Sequence, residues 1–403
     1  MPADAIVKSI AIARKFCPAP SREAQLLICC ATSVVTTERT TRLHAIINEG
    51  VDWYLVTHMA QVQAVMPLVY RYVTAALGDA LPTDAAIGLR RAFFGNAVRN
   101  LHLARELTRL TALLEHGGVE PLALKGPVLA LAAYGAINLR QFTDLDFLVR
   151  EGEIGPTVEM LLKDGYAPRA GFSLVDLGRP GAYEIAMVKP GTLTEIDLHW
   201  RLVPAYFPLV PTGEDLWRRA ARVEIEGTAV RTLAPADHLH YLCAHGAKHG
   251  WEALGGICDL AELMRSSSID WNELCLRAEH VGARRVLALG VLLAHELFDT
   301  EVPASVLEAA CREPPVIRAA RSFISYVTNP IGDGPGFYQR WSVPMRVIVG
   351  PGARLRYLAT RALLPNADDR ALLRLPMALQ PLHYLLRPVR VALKEGPAAF
   401  RRR

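Results

Sequence analysis

The chain has 403 residues, 51% hydrophobic and 21% charged, with a formal net charge of +5. That length exceeds one small core and implies two or three packed units of ordinary globular composition. Mean hydropathy is +0.18, yet no uninterrupted apolar run of ~18 residues occurs, so no membrane-spanning helix is expected.

The opening stretch MPADAIVKSIAIARKF has no apolar core followed by a small-residue cleavage site, which reads as a cytoplasmic protein. Residues 21–80 read as helices. Ser21 and Glu23 precede the apolar stripe of SREAQLLICCATS, Trp53, Leu55, Val56, Met59 and Ala60 recur at helical spacing, and Pro67 begins a further helix. After GDALPTD a long amphipathic helix is predicted over 84–116, with Leu89, Phe93, Ala97, Leu101, Leu107, Leu110 and Leu114 on its stripe and HGG as its stop.

Then the period changes. VEPLALKG is a short apolar run ending at Lys125-Gly126, a strand into a tight turn, and PVLALAAYG is a helix from Pro127 to the stop at Gly135. QFTDLDFLV is a second strand and EIGPTVEMLLKDGY a helix closed by Gly165. AYEIAMVKPGTLTEIDLHWRL holds two strands around a hairpin turn at 189–192, and TAVRTL gives a last strand before Pro235 opens another helix. The remainder reads as helical. The expected class is α+β, with an N-terminal helical region at 1–83, a core with a small mixed sheet at 84–233, a helical region at 234–335 and a basic helical end at 336–403.

That end carries 13 Lys/Arg against three acids, a net +10 that leaves −5 on the rest of the chain. Its arginines alternate with apolar residues, which fits an amphipathic helical end packed on the acidic body. An anionic membrane, nucleic acid or acidic partner is the competing reading. No nucleic-acid fold signature accompanies it, so polynucleotide recognition has only charge behind it. The seven cysteines (Cys17, Cys29, Cys30, Cys243, Cys258, Cys275 and Cys311) are scattered without a C-x-x-C pair. They fit reduced thiols rather than a disulfide framework or zinc ribbon.

In FTDLDFLV, Asp144 and Asp146 share one strand face and Leu145, Phe147 and Val149 the other. Two carboxylates brought to ~4 Å repel by about 4 kcal/mol at an effective dielectric of ~20. A divalent cation with oxygen ligands offsets that repulsion; a solvated sheet face avoids it. About 50 residues on, TEIDLHW sets Glu195, Asp197 and His199 on one face of another strand. Three carboxylates from two strands are what a two-metal phosphoryl-transfer site requires. Upstream, LALKG runs a strand into a glycine turn and a helix N-terminus, where free N–H groups and the helix dipole favour phosphate.

The order LKG, helix, Y-G-x4-R-x3-DLDFLV, then IDLHW resembles the DNA polymerase beta-like nucleotidyltransferase superfamily, and within it the bacterial group labelled uncharacterised nucleotidyltransferase. It is also similar to the aminoglycoside and lincosamide nucleotidyltransferases. The resemblance implies that 84–233 is a nucleotidyltransferase core in which Asp144, Asp146 and Asp197 bind Mg²⁺ or Mn²⁺ and act in catalysis. Lys125, Gly126, Arg140 and Thr143 are then expected at the nucleotide. Lys125 stands where the wider superfamily has a second small residue. The implied reaction moves a nucleotide, AMP from ATP or another NMP from its NTP, onto a small molecule, peptide or protein. A catalytically silent nucleotide-binding regulator and an enzyme acting on RNA are the alternatives.

DHLHYLCAHGAKHGW adds His238, His240, His245 and His249. His245 and His249 share a helix face, an H-x3-H spacing that can bind zinc with Cys243 or Asp259. Gly246 replaces the glutamate of a metalloprotease helix, and a cleft-wall role is favoured in which His245, Lys248 and His249 touch nucleotide or acceptor. His199 is expected to assist proton transfer or orient Asp197.

Overall fold

The computed structural model describes residues 20–400 except 171, 173, 179, 180, 193, 208, 209, 329–336, 366, 374, 377 and 378. Readings made on residues 1–16, Cys17, Arg374 and 401–403 lie outside the described residues. Helices α1 (Arg22–Cys30), α2 (Thr37–Asn48), α3 (Trp53–Val62), α4 (Met66–Leu77) and the long α5 (Thr83–His116) come first. Their starts follow cap chemistry: Ser21 Oγ accepts the Ala24 N–H, and Asp52 Oδ1 accepts those of Tyr54 and Leu55.

Seven strands follow: β1 (Leu122–Ala123), β2 (Leu145–Leu148), β3 (Ala167–Pro168), β4 (Glu184–Val188), β5 (Glu195–His199), β6 (Ala221–Ile225) and β7 (Thr228–Thr232). They form one mixed sheet in the order β3-β4-β5-β2-β1-β7-β6. Helix α6 (Gly126–Tyr134) links β1 to β2, and α7 (Ile154–Lys163) follows β2. Strands β3 and β6 escape the sequence reading. Both lie at sheet edges; β3 is only two residues long and contains Pro168, whereas β6, ARVEI, does carry the alternation of a strand.

The four-residue α8 (Asp215–Arg218) precedes β6, and beyond β7 the described chain is helical: α9 (Pro235–His249), α10 (Leu254–Ser266), α11 (Trp271–His280), α12 (Arg284–Phe298), α13 (Ala304–Cys311) and α14 (Pro314–Thr328). Then come α15 (Phe337–Val347), α16 (Pro351–Leu363), α17 (Ala367–Leu372) and α18 (Leu382–Phe400).

Two apolar clusters organise the molecule. One packs Leu103, Leu107 and Leu110 of α5 and Val158 of α7 on Phe147, Ile185, Ile196 and Leu198 of the sheet. The other joins Leu27, Val56 and Val69 of the early helices to Leu260, Val291 and Phe323 of the later ones. The two helical regions separated in sequence by the sheet therefore share one core, because neither amphipathic set covers its apolar face alone. Polar ties reinforce the join. Glu262 Oε1 of α10 accepts from the Thr32 hydroxyl at 3.1 Å and the Ser33 N–H at 3.0 Å. Gln63 accepts the Leu254 N–H on its side chain and the Gly255 N–H on its carbonyl.

At the basic end, Arg387 and Arg390 both pair with Asp369, while Leu385, Val389 and Leu393 stay exposed. The six described cysteines are free.

Candidate active site

Register builds the site. β2 and β5 run parallel with Asp146 opposite Asp197 and Leu148 opposite His199. β4 runs antiparallel to β5 with Glu184 opposite His199 and Ala186 opposite Asp197. Register partners project to the same side of a sheet. Three adjacent strands thus deliver Asp146, Asp197, His199 and Glu184 to one face, and Asp144 joins them from the residue before β2. The end of α9 and the segment leading to α10 close a cavity of about 350 Å³ over them, with His245, Lys248, His249, Trp251 and Glu252 in its wall.

Lys125 reaches the site from the opposite neighbour of β2. The Leu124 N–H donates to the Asp146 carbonyl at 3.0 Å, so the next residue leaves β1 beside that carboxylate. Lys125 Nζ then lies 3.0 Å from Asp146 Oδ1. Gly126 opens α6 at φ 57°, and a Cβ there would sit 3.4 Å from the Asp144 carbonyl. A residue with a side chain is strained in that conformation, which explains the glycine.

The charges oppose one another at close range. Burial alone would raise Asp146, but Lys125 and a hydrogen bond from His199 hold it well below the usual carboxylate range. Burial and the charges of Asp146 and Glu184 push Asp197 up to about 7. Asp144 is raised by burial and by Asp146. Burial would lower Lys125, yet Asp146 and the groups around it keep it above the ordinary lysine value. His199, whose Nε2 is 3.2 Å from Asp146 Oδ1, is likewise raised against its burial by Asp146 and Glu184. In the wall, burial lowers both His245 and Lys248.

The donor set suits a divalent cation. Asp146 Oδ2 is buried and accepts no hydrogen bond. Ligand atoms of Asp146, Asp197 and His199 lie within 4.8 Å of one another. The three expected carboxylates, Asp144, Asp146 and Asp197, all line the cavity, but the tightest group takes His199 in place of Asp144.

Other expected residues fall differently. Arg140, expected at the nucleotide, is buried in a fork on Asp259, with Nε 2.9 Å from Oδ1 and Nη2 2.9 Å from Oδ2. Tyr134 also donates to Asp259, at 2.7 Å. Arg140 therefore ties the turn before β2 to α10 and is not among the residues that line the cavity. Thr143 is exposed and outside that wall too. Among the described residues, the H-x3-H pair gathers no group of metal ligands. The His245 and His249 rings lie 4.7 Å apart, tilted by 45°, Cys243 packs against Gly290, and Asp259 is taken by Arg140.

Four residues enter without having been singled out. Glu184 and Tyr183 come from the first hairpin strand, with the Tyr183 hydroxyl donating to Glu184 Oε1 at 2.7 Å and accepting from Lys248 Nζ at 3.0 Å. Tyr241 is fully buried, its hydroxyl without a hydrogen bond and its pKa raised by burial and by Asp146 against the opposing charge of Lys125. Trp251 takes φ 55° and lays its ring on Gly246, where a Cβ would stand 2.4 Å from ring carbons. The alternation of YEIAMV could have flagged Glu184. Tyr241 and Trp251 offer only apolar patterns common to any core.

No curated protein matches the chain. A family model described as Uncharacterised nucleotidyltransferase matches residues 49–299, more than half of the chain and the whole of the cavity wall. With its acids aligned on adjacent strands and a family match over that span, the chain belongs to the uncharacterised nucleotidyltransferase family and is a transferase of the nucleotidyltransferase type.

Proposed function

We propose that this enzyme moves an NMP, in the first place AMP from ATP, onto a hydroxyl or similar group of a small molecule, peptide or protein, with release of pyrophosphate. The observation that carries this reading is the register pairing of Asp146 with Asp197, on the sheet face beside the Lys125-Gly126 turn.

Asp144, Asp146 and Asp197 are the carboxylates that would hold a divalent ion such as Mg²⁺ or Mn²⁺, with His199 beside them. When bound, that ion supplies neutralisation of the charge on the triphosphate. Lys125 adds a positive charge at the start of α6, where free N–H groups and the helix dipole attract phosphate. The acceptor oxygen bonds to the α-phosphorus, the bond from that phosphorus to the α–β bridging oxygen breaks, and pyrophosphate leaves with the bonding electrons. Asp197, on the same sheet face, takes the hydroxyl proton. His245, Lys248 and His249 form the wall against which nucleotide or acceptor rests.

The test is incubation of the protein with ATP labelled at the α-phosphate, a divalent ion and cell extract. Label on a small molecule, peptide or protein, lost in Asp146→Asn, supports the reading. Binding of ATP without transfer in any extract replaces it with a regulatory role. Label on RNA, with binding that falls steeply as salt rises, replaces the acceptor class.

A further inference from the structure

A second cavity, of about 460 Å³, opens between α5, the start of α4 and the segment before β2. It shares no lining residue with the catalytic cavity. Its wall holds Arg91 and Arg99 and no acid. Over 85–105, helix α5 carries Arg90, Arg91, Arg99 and Arg105 without one carboxylate. Two of these are engaged: Arg90 lies over the Phe94 ring and Arg105 pairs with Glu226. Among the described residues, Arg91 and Arg99 have no hydrogen bond or ion pair.

The side-chain amides of the wall present acceptors. Asn96, 3% exposed, gives an Nδ2–H to the Arg140 carbonyl at 3.1 Å. Gln141 gives an Nε2–H to the Gln61 carbonyl at 3.0 Å. Turning either amide over would set oxygen against oxygen, so each orientation is fixed by its neighbour. Asn96 Oδ1 and Gln141 Oε1 are both buried and accept no hydrogen bond among the described residues. Buried acceptors without a donor are rare in a folded chain and call for one.

Gly88 and Gly95 also line the cavity, on the same helix. Glycine inside a helix is destabilising relative to alanine. A Cβ at either position would meet nothing within 4 Å. No close packing within the chain requires these glycines, and what they leave is room.

We infer that this cavity binds a small anion, a carboxylate or a phosphate monoester, that carries an N–H or O–H donor beside its charge. Arg91 and Arg99 take the anionic group, and Asn96 Oδ1 and Gln141 Oε1 take the donors. The site stands apart from the transfer reaction and does not depend on it.

The test uses the full chain without nucleotide, at pH ~8, where phosphate monoesters are fully ionised. Saturation-transfer difference NMR follows N-acetylglycine and glycerol 3-phosphate as probes. At least one is expected to bind, and its identity assigns the anion as carboxylate or phosphate. N-acetylsarcosine and methyl phosphate, which keep the charge and lack the donor, are expected to bind at least ~5-fold more weakly. Changing Arg91→Gln and Arg99→Gln together is expected to weaken the bound probe by at least ~10-fold. Gly95→Met fills the cavity from a position with open space, and is expected to abolish the signal while Tm stays at or above that of the wild type. That Tm separates a blocked site from a misfolded one. The inference falls if neither probe binds the wild type, or if the donor-free analogues bind equally well. It falls too if binding survives both Gly95→Met and the paired arginine changes.

Discussion

Asp146 and Asp197 face each other across β2 and β5, yet they sit on opposite sides of the ordinary carboxylate range. Both are buried. The difference lies in their neighbours: Lys125 and His199 contact Asp146, whereas the charges of Asp146 and Glu184 outweigh that of His199 at Asp197. One acid of the pair is held below the usual carboxylate range by its cationic neighbours, and the other is pushed up to about 7.

That asymmetry sets a pH dependence. The folded pKa of Asp197, about 7, lies above its ordinary value of 3.8, so the unfolded chain loses this proton first as pH rises. The stabilisation is complete below the lower value and is lost as pH climbs through the upper one. Cation binding needs the ionised form. The rise in Tm produced by Mn²⁺ is therefore expected to be small near pH ~5.5 and to grow through pH ~7, by differential scanning fluorimetry. A shift independent of pH, or one that keeps its slope in Asp197→Asn, would contradict this account.

Lys125 and Asp146 are expected to fail singly and recover together. With side-chain exposures of 14% and 1%, removing either partner leaves a buried charge, at a cost of about 3–5 kcal/mol. Urea unfolding of Lys125→Met, Asp146→Asn and the double variant should show the double losing less than the sum of the singles. Transfer activity should stay at least ~100-fold down wherever Asp146 is changed, even in the double variant. Additive losses would remove the pairing.

At Gly246→Ala the new methyl meets the Trp251 ring, 2.4 Å away. Overpacking of this kind costs about 1–3 kcal/mol. Since Trp251 forms part of the cavity wall, KM is expected to rise along with the loss of Tm. A variant that melts like the wild type with unchanged kinetics would show that the ring is free to shift.

Arg140 provides the contrast. Its planar fork on Asp259 cannot be copied by a lysine. Arg140→Lys is expected to cost about 1–3 kcal/mol in thermal or urea melting and to leave the KM for ATP within ~2-fold. A raised KM at unchanged stability would return Arg140 to the nucleotide.

Much of this site was legible from residue order. A strand alternates, so D-x-D had to place Asp144 and Asp146 together, and IDLHW had to place Asp197 with His199. The alternation of YEIAMV marks the face of Glu184, but its partner was not legible, because that depends on the length of the hairpin loop. The observed register sets Val188 opposite Glu195 and hence Glu184 opposite His199. A two-residue turn at 190–191 would have set Glu184 opposite Asp197. The partner of Arg140 was hidden for a related reason: it lies 119 residues further on, beyond the reach of any local pattern. The basic end hid its pairing as well, since Asp369 takes up both Arg387 and Arg390 only once α17 and α18 pack.

By itself, the sequence determined most of the elements and the faces of the site strands β2, β4 and β5, because alternation, caps and glycine turns are local properties of the chain. Which strands lie side by side, how far one slides against the next, and which charges meet were decided by tertiary structure alone. Those choices follow from burying apolar faces contributed by distant segments, and a carboxylate acquires its proton affinity only from the neighbours that burial brings.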